Sequence, residues 1–218
     1  MNTCRRLKGL GFSKDTYGET VILFYNDDND IINIMPMGFK LYIDGNACGL
    51  IGRIFKGSMI YDLIINKGLN KINCRICITK DPRMFYYSVF YKGYIINKLK
   101  AGSLNYCDAY VNGVMVVNNM EGDSIKVIVH PTNIDFIRKS PKVFDRASAA
   151  IIEALVWYTK IPYVSCDKVR QILDREKFYL ETVRRSSRKS IYRHIINDIY
   201  ARARELASTR CGSRNKDL

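Results

Sequence analysis

The hydrophobic period of this chain changes at Phe144, and that change sets its architecture. Before it, apolar and β-branched residues come in short runs: Glu19 to Tyr25, Ile31 to Ile34, Phe39 to Ile43, Cys48 to Ile54, Lys71 to Thr79, Asp108 to Asn118 and Ser124 to Val129. Runs of that length bounded by Gly, Pro, Asn and Asp read as strands. Asp44-Gly45-Asn46 and Asn112-Gly113 read as turns, and Pro131 as the end of the last strand. Ser58 to Asn66 reads as a short helix closed by Gly68, and Phe85 to Tyr91 is ambiguous between strand and helix. After Phe144 the spacing is helical. Ala147, Ala150, Ile151, Ala154, Leu155 and Tyr158 form one apolar stripe over Asp145 to Lys160. Val169, Ile172, Leu173, Leu180 and Val183 form a second, with Ser165 as its N-cap. Ile191, Ile195, Ile196, Ile199, Ala203 and Leu206 form a third. The expected fold class is mainly β plus α. It has a closed antiparallel β-barrel over 1–140, a C-terminal helical segment of about three helices over 141–210, and a disordered tail over 211–218.

Composition narrows the function classes. No run of about eighteen apolar residues exists, so no transmembrane span is expected. The start, Met1-Asn2-Thr3-Cys4-Arg5-Arg6, lacks the apolar region of a secretory signal, and the expected location is cytoplasmic. Seven cysteines, odd in number and scattered, read as reduced thiols in that compartment. Cys74-Arg75-Ile76-Cys77 is formally C-x-x-C, but in a strand residues three apart point to opposite faces, which argues against zinc or redox use. His130 and His194 are far apart, and no metal-ligand spacing is present. The net charge of +14 favours an anionic partner: a phosphorylated cofactor, nucleic acid or a membrane surface. Much of it comes from Arg184 to Lys189 and from Arg210 to Lys216, which read equally well as solvated faces and a basic tail.

Arg53-Ile54-Phe55-Lys56-Gly57-Ser58-Met59-Ile60-Tyr61 is the stretch that carries chemistry. It reads as a strand end, a basic turn and a helix start. Arg53 and Lys56 bring charge, Gly57 lets backbone approach closely, and Ser58 caps the helix. The first N–H groups of a helix carry partial positive charge and bind phosphate. An ordinary capped helix with a solvated Arg and Lys has the same pattern.

Other blocks extend the pattern: Tyr17-Gly18-Glu19-Thr20, Met35-Pro36-Met37-Gly38, Cys77-Ile78-Thr79-Lys80-Asp81-Pro82, Phe144-Asp145-Arg146 and Ile152-Glu153-Ala154-Leu155-Val156. In this order and spacing they resemble an uncharacterised, largely archaeal family of flavin-reductase-like proteins with an FMN-binding split barrel, over roughly residues 10 to 205. The resemblance implies FMN as cofactor, in preference to FAD, and a homodimer. Arg53, Lys56, Gly57 and Ser58 would hold the phosphate, and Phe55 and Tyr61 would be further cofactor contacts. Met35, Pro36, Met37 and Gly38 would flank the isoalloxazine ring, with Cys77 completing the contacts. Arg146 and Glu153 match family positions and read either as site residues or as structural ones. Two positions depart from the family pattern: Ile60 stands where Thr is usual and Cys77 where Asn is usual. A hydroxyl at position 60 would face the same anion as the helix N–H groups, so Ile60→Thr is expected to tighten FMN binding.

No catalytic acid, base or nucleophile stands out. That suits flavin chemistry, in which the cofactor does the redox work between a small-molecule donor and acceptor. The expected activity is an FMN-dependent reductase or other oxidoreductase. Two other readings remain. A basic barrel also binds single-stranded nucleic acid, with Tyr86, Tyr87, Phe90, Tyr91, Lys92 and Tyr94 as its nearest approach to a stacking face, though no RNP-type or GxxG signature is present. The third reading is a cofactor-free structural dimer.

Overall fold

The structure is a computed structural model that describes residues 3–12, 14, 18–45, 47–102, 106–138, 146–187 and 190–212. Tyr17 and Asn46, Phe144 and Asp145, the Arg146 side chain and the part of the expected tail from 213 on lie outside the described residues. The chain divides into two units, residues 1–79 with 83–141, and residues 80–82 with 142–218.

The first unit opens with helix α1 (Thr3–Gly9), whose Leu7 is buried in the barrel core. Six strands follow: β1 (Gly18–Tyr25), β2 (Ile31–Asp44), β3 (Ala47–Phe55), β4 (Lys71–Ile78), β5 (Ala109–Glu121) and β6 (Ser124–Phe136). All ladders are antiparallel, in the order β1-β2-β3-β6-β5-β4, and β4 pairs back onto β1. Every strand therefore has two neighbours, which leaves no strand edge unpaired over its whole length. Ile22, Phe24, Phe39, Leu50, Ile54, Ile76, Val111, Val127 and Val129 fill the interior. Between β3 and β4 lies α2 (Met59–Lys67), which Gly68 ends in the left-handed conformation (φ 64°). Between β4 and β5 lie α3 (Pro82–Phe90) and α4 (Lys92–Lys100).

Three strand boundaries differ from the sequence reading. β2 runs unbroken through Pro36, joining two segments expected to be separate. Asn112-Gly113 is not a turn but the middle of β5. A Cβ on Gly113 would stand 2.4 Å from the His130 carbonyl oxygen, so glycine is there for strand–strand approach. Pro131 does not end β6, because it sits opposite Gly113 where the register shifts and the ladder tolerates a residue without N–H.

The second unit carries α5 (Arg146–Tyr158), α6 (Cys166–Ser186) and α7 (Ser190–Cys211). α7 runs through Cys211, the residue at which the tail was expected to begin. Ile161, Val169, Ile172, Ala203 and Ala207 form one core of this unit. Trp157 is held between the Lys160 ammonium (4.0 Å from the ring centroid) and the Arg175 guanidinium (4.1 Å).

The expectation of reduced thiols is overturned. Cys4–Cys48, Cys77–Cys107 and Cys166–Cys211 are disulfide-bonded, with Cα atoms 5.3, 5.4 and 5.8 Å apart. Cys74 alone is free; it is buried, and burial pushes its thiol up to about 12. The partners lie 30 to 45 residues apart in sequence, so the fold, not local spacing, brings them together. Among the described residues no group of His, Cys, Asp and Glu has the makings of a metal site, and no helix is long and apolar enough to cross a membrane.

Candidate functional site

The ladder between β2 and β3 runs only from Asp44↔Ala47 to Phe39↔Gly52. Beyond that pair the strands part. β2 continues back to Ile31 alongside β1, while β3 continues to Phe55 alongside β6. The two flanks of this split are the two stretches that the sequence singled out: Met35 to Gly38 on β2, and Arg53 to Ser58 leading from β3 into α2.

Gly52 marks where the strands separate. A Cβ there would meet the Met37 Cε at 2.6 Å and the Gly38 carbonyl oxygen at 3.0 Å. Glycine therefore lets the Met37 side chain cross under β3. The sequence reading passed over Gly52; the pair Gly49 and Gly52 inside an apolar strand was the available signal.

Backbone groups of alternate residues point to opposite edges of an antiparallel strand. The Met37 carbonyl accepts the Thr20 hydroxyl at 2.8 Å, on the β1 side. Gly38 turns its carbonyl toward β3, and by alternation Pro36 shares that direction. Neither has a ladder partner on the β3 side, so their carbonyls, with the Gly38 N–H, face the split. Pro36, which lacks an N–H, suits such a position. Met37 is buried in the barrel core and Met35 packs against it, so their side chains serve as wall rather than as polar contacts.

The turn on the other flank follows from its residues. The Ser58 N–H donates to the Phe55 carbonyl (3.3 Å), and Gly57 has φ 87°, the left-handed value that a type II turn requires at its third residue. Ser58 is extended (φ −89°, ψ 144°), and its hydroxyl accepts the Tyr61 N–H at 3.2 Å. That is the expected N-cap, leaving other first-turn N–H groups directed outward. Phe55 is 57% exposed beside the turn, and Met59 is exposed too. Tyr61 packs against the barrel core.

Both cations of this flank have acidic partners on the β5–β6 hairpin. The Arg53 guanidinium lies 2.8 Å from a Glu121 carboxylate oxygen, and the Lys56 ammonium 3.6 Å from Asp123. The Lys56 N–H also donates to the Asp123 carbonyl (2.9 Å), which fixes turn and hairpin together. Glu121 and Asp123 were not singled out in the sequence. The string Glu121-Gly122-Asp123 was their visible signal, a tight turn carrying two acids in a basic chain.

Two expected features are corrected. Cys77 offers no thiol to a ligand: it is fully buried and bonded to Cys107. Ile60 is also fully buried in the barrel core, so a hydroxyl there would face no anion. Ile60→Thr is expected to cost about 1–3 kcal/mol of stability, the price of burying an unpartnered hydroxyl, with no gain in anion affinity. Thermal denaturation alongside ligand titration of the variant checks this; tighter binding at unchanged stability would put Ile60 at the ligand after all. Glu153 is exposed on α5. Of the aromatic stretch, Tyr86 is buried with its ring against Tyr87, Phe90 and Tyr91 (centroids 5.4–5.5 Å), so it is packing rather than a surface for bases.

The donor set fits a phosphate monoester. Two exposed cations, a glycine turn and a capped helix start stand on one flank, and backbone carbonyls and an N–H on the other. The acidic partners do not forbid this, since exposed ion pairs of this kind are worth about 0–1 kcal/mol and exchange readily.

No protein-family model matches the chain, and no curated protein matches it either. Solved structures do. An FMN-bound protein of Methanosarcina mazei from family DUF447 is 18% identical, with a TM-score of 0.62 over 90% of this chain and 99% of its own. An FMN-binding protein of Thermus thermophilus is 10% identical, with a TM-score of 0.39 over 57% of this chain and 73% of its own. The flavin reductase HpaC, complexed with NADP+, is 14% identical, with a TM-score of 0.43 over 62% of this chain and 88% of its own. The last two likenesses are too partial to carry weight. The first spans nearly both chains, and it shows that this chain shares that protein's fold: a six-stranded antiparallel sheet followed by C-terminal helices.

Proposed function

We propose that this chain is an FMN-binding flavoprotein, one of the uncharacterised, largely archaeal flavin-reductase-like proteins, and that it acts as a flavin-dependent oxidoreductase. One observation carries the reading. The barrel splits between β2 and β3 at Phe39↔Gly52, and the residues flanking the split are those whose motifs resemble a flavin site. The Methanosarcina mazei protein, which shares the fold, is FMN-bound.

FMN would supply hydride and electron transfer, which no side chain here provides. The chain supplies the binding. Arg53, Lys56 and the turn at Gly57 and Ser58 hold the phosphate. The backbone of Pro36 and Gly38 orients the ring edge, and Met35 and Met37 wall it from water. Phe55 and Tyr61 flank the phosphate end. The barrel, taken as 1–140, is the flavin domain and the helices of 141–210 a subdomain; the working form is a homodimer. A cytoplasmic location agrees with three disulfides if the source is a hyperthermophile, whose intracellular proteins are disulfide-rich.

Titration with both flavins tests the reading. FMN is expected to bind more tightly than FAD, and the purified protein to be yellow. Lys56→Ala removes one charge-assisted contact, and is expected to weaken FMN by about tenfold or more. Its fold survives, because Lys56 is exposed. Equal affinity for FAD, or no change in Lys56→Ala, would remove the phosphate site from this turn.

A further inference from the structure

Glu121 does more than pair with Arg53. One of its carboxylate oxygens lies 2.8 Å from the Arg53 guanidinium, and the other 3.7 Å from the Lys126 ammonium. Arg53 and Lys126 are direct partners in the β3–β6 ladder. Like charges placed directly opposite repel, and a sheet tolerates them only with a counter-charge between. A carboxylate bridging two cations through separate oxygens has the shape and charge of two oxygens of a phosphate group.

We propose that Lys126 is a third cation of the anion site, and that Glu121 occupies, in the absence of ligand, the position where a ligand's phosphate sits between Lys126 and Arg53. The site takes an exposed phosphate monoester; that this ester belongs to FMN rests on the flavin reading above. Ligand entry is an exchange of anions. The phosphate takes the Arg53 and Lys126 contacts, and the Glu121 carboxylate turns to solvent, where it is already one-third exposed. Asp123 stands in the same relation to Lys56. Summed over these side chains, three cations face two acids, so the cradle keeps a net positive charge before the ligand arrives.

A merely structural Glu121 predicts the opposite response to its removal. If the carboxylate only holds Arg53 in place, Glu121→Gln loosens the cradle and weakens anion binding. If it competes with the ligand, Glu121→Gln strengthens binding although the two cations now repel and stability falls slightly. Lys126→Met is the complementary test, and Lys168→Met on α6 makes the same charge change elsewhere.

The oxidised full-length protein and these variants are titrated calorimetrically at low salt with FMN and, separately, with inorganic phosphate. Lys126→Met is expected to weaken both ligands by about tenfold. Glu121→Gln is expected to tighten both by about two- to fivefold, and Lys168→Met to change neither. The proposal is overturned if Lys126→Met behaves like Lys168→Met, or if Glu121→Gln weakens binding or leaves it unchanged. If phosphate follows the expected pattern while FMN does not bind, the flavin reading falls and this assignment stands. If FMN binds the wild type but neither ligand responds to the substitutions, the assignment falls and the flavin reading stands. If neither ligand binds any form, both fall.

Discussion

Reduction of the protein is expected to cost about 4 kcal/mol of stability for each disulfide opened. The bonds close stretches of 44, 30 and 45 residues, and loop closure of that size removes roughly this much free energy from the unfolded chain. Three such losses approach or exceed the whole stability of an ordinary domain. The melting temperature should therefore fall steeply in a strong reductant. A chemical count supports the thermal one. Denatured without reductant, the chain should take up a single thiol label, at Cys74; after reduction it should take up all seven. Seven labels before reduction would show that the cysteines are thiols in the native protein.

A second large effect comes from Glu176. It stands on α6 in line with the apolar stripe of Val169, Ile172, Leu180 and Val183, and it is fully buried. Among the described residues neither carboxylate oxygen has a hydrogen-bond partner. Burial pushes its pKa up to about 8 from the usual 4.5. The folded state thus binds a proton more tightly than the unfolded state does. Its contribution is fully present below about pH 4.5 and is lost as pH rises through about 8. Over that window the loss is on the order of several kcal/mol, since each pH unit is worth about 1.4 kcal/mol. Denaturant unfolding measured from pH 5 to pH 9 should show the decline. Glu176→Met should flatten it and raise stability by several kcal/mol at the alkaline end, because no charge then has to be buried. An unchanged slope in the variant would assign the decline to other groups.

Much of the barrel was legible because its strands alternate and its turns use Gly, Asp and Asn at the required places. The Ser58 cap and the Gly68 stop were legible for the same reason: each is a local solution to unpaired helix ends. What was missed was non-local. Asn112-Gly113 has the composition of a hairpin turn, and only the carbonyl of His130 on the neighbouring strand reveals why glycine is there. α1 and α4 were not foreseen; α4 is short and carries Gly93, and only Ile95 of it is buried. Cysteines 30 to 45 residues apart announce no pairing until the fold brings their Cα atoms within 6 Å. The site was half legible. The cradle's cations show in the sequence, but their acidic partners come from a hairpin 67 to 68 residues later, and Ile60 looks like a ligand position until its burial is known.

The way the chain is divided bears on how it has been passed on. The helical unit is not one continuous stretch: it takes residues 80–82, which lead from β4 into the first residue of α3, and the Ser148 hydroxyl donates to the Lys80 carbonyl at 2.6 Å. A recombination event joining a foreign barrel at residue 141 would inherit the helices but leave that tripeptide behind. No disulfide offsets the loss, since each of the three lies within a single unit. Barrel and helices are therefore expected to descend together as one gene, and chimaeras that also carry residues 80–82 from the helical parent should express as folded protein more often than those that do not.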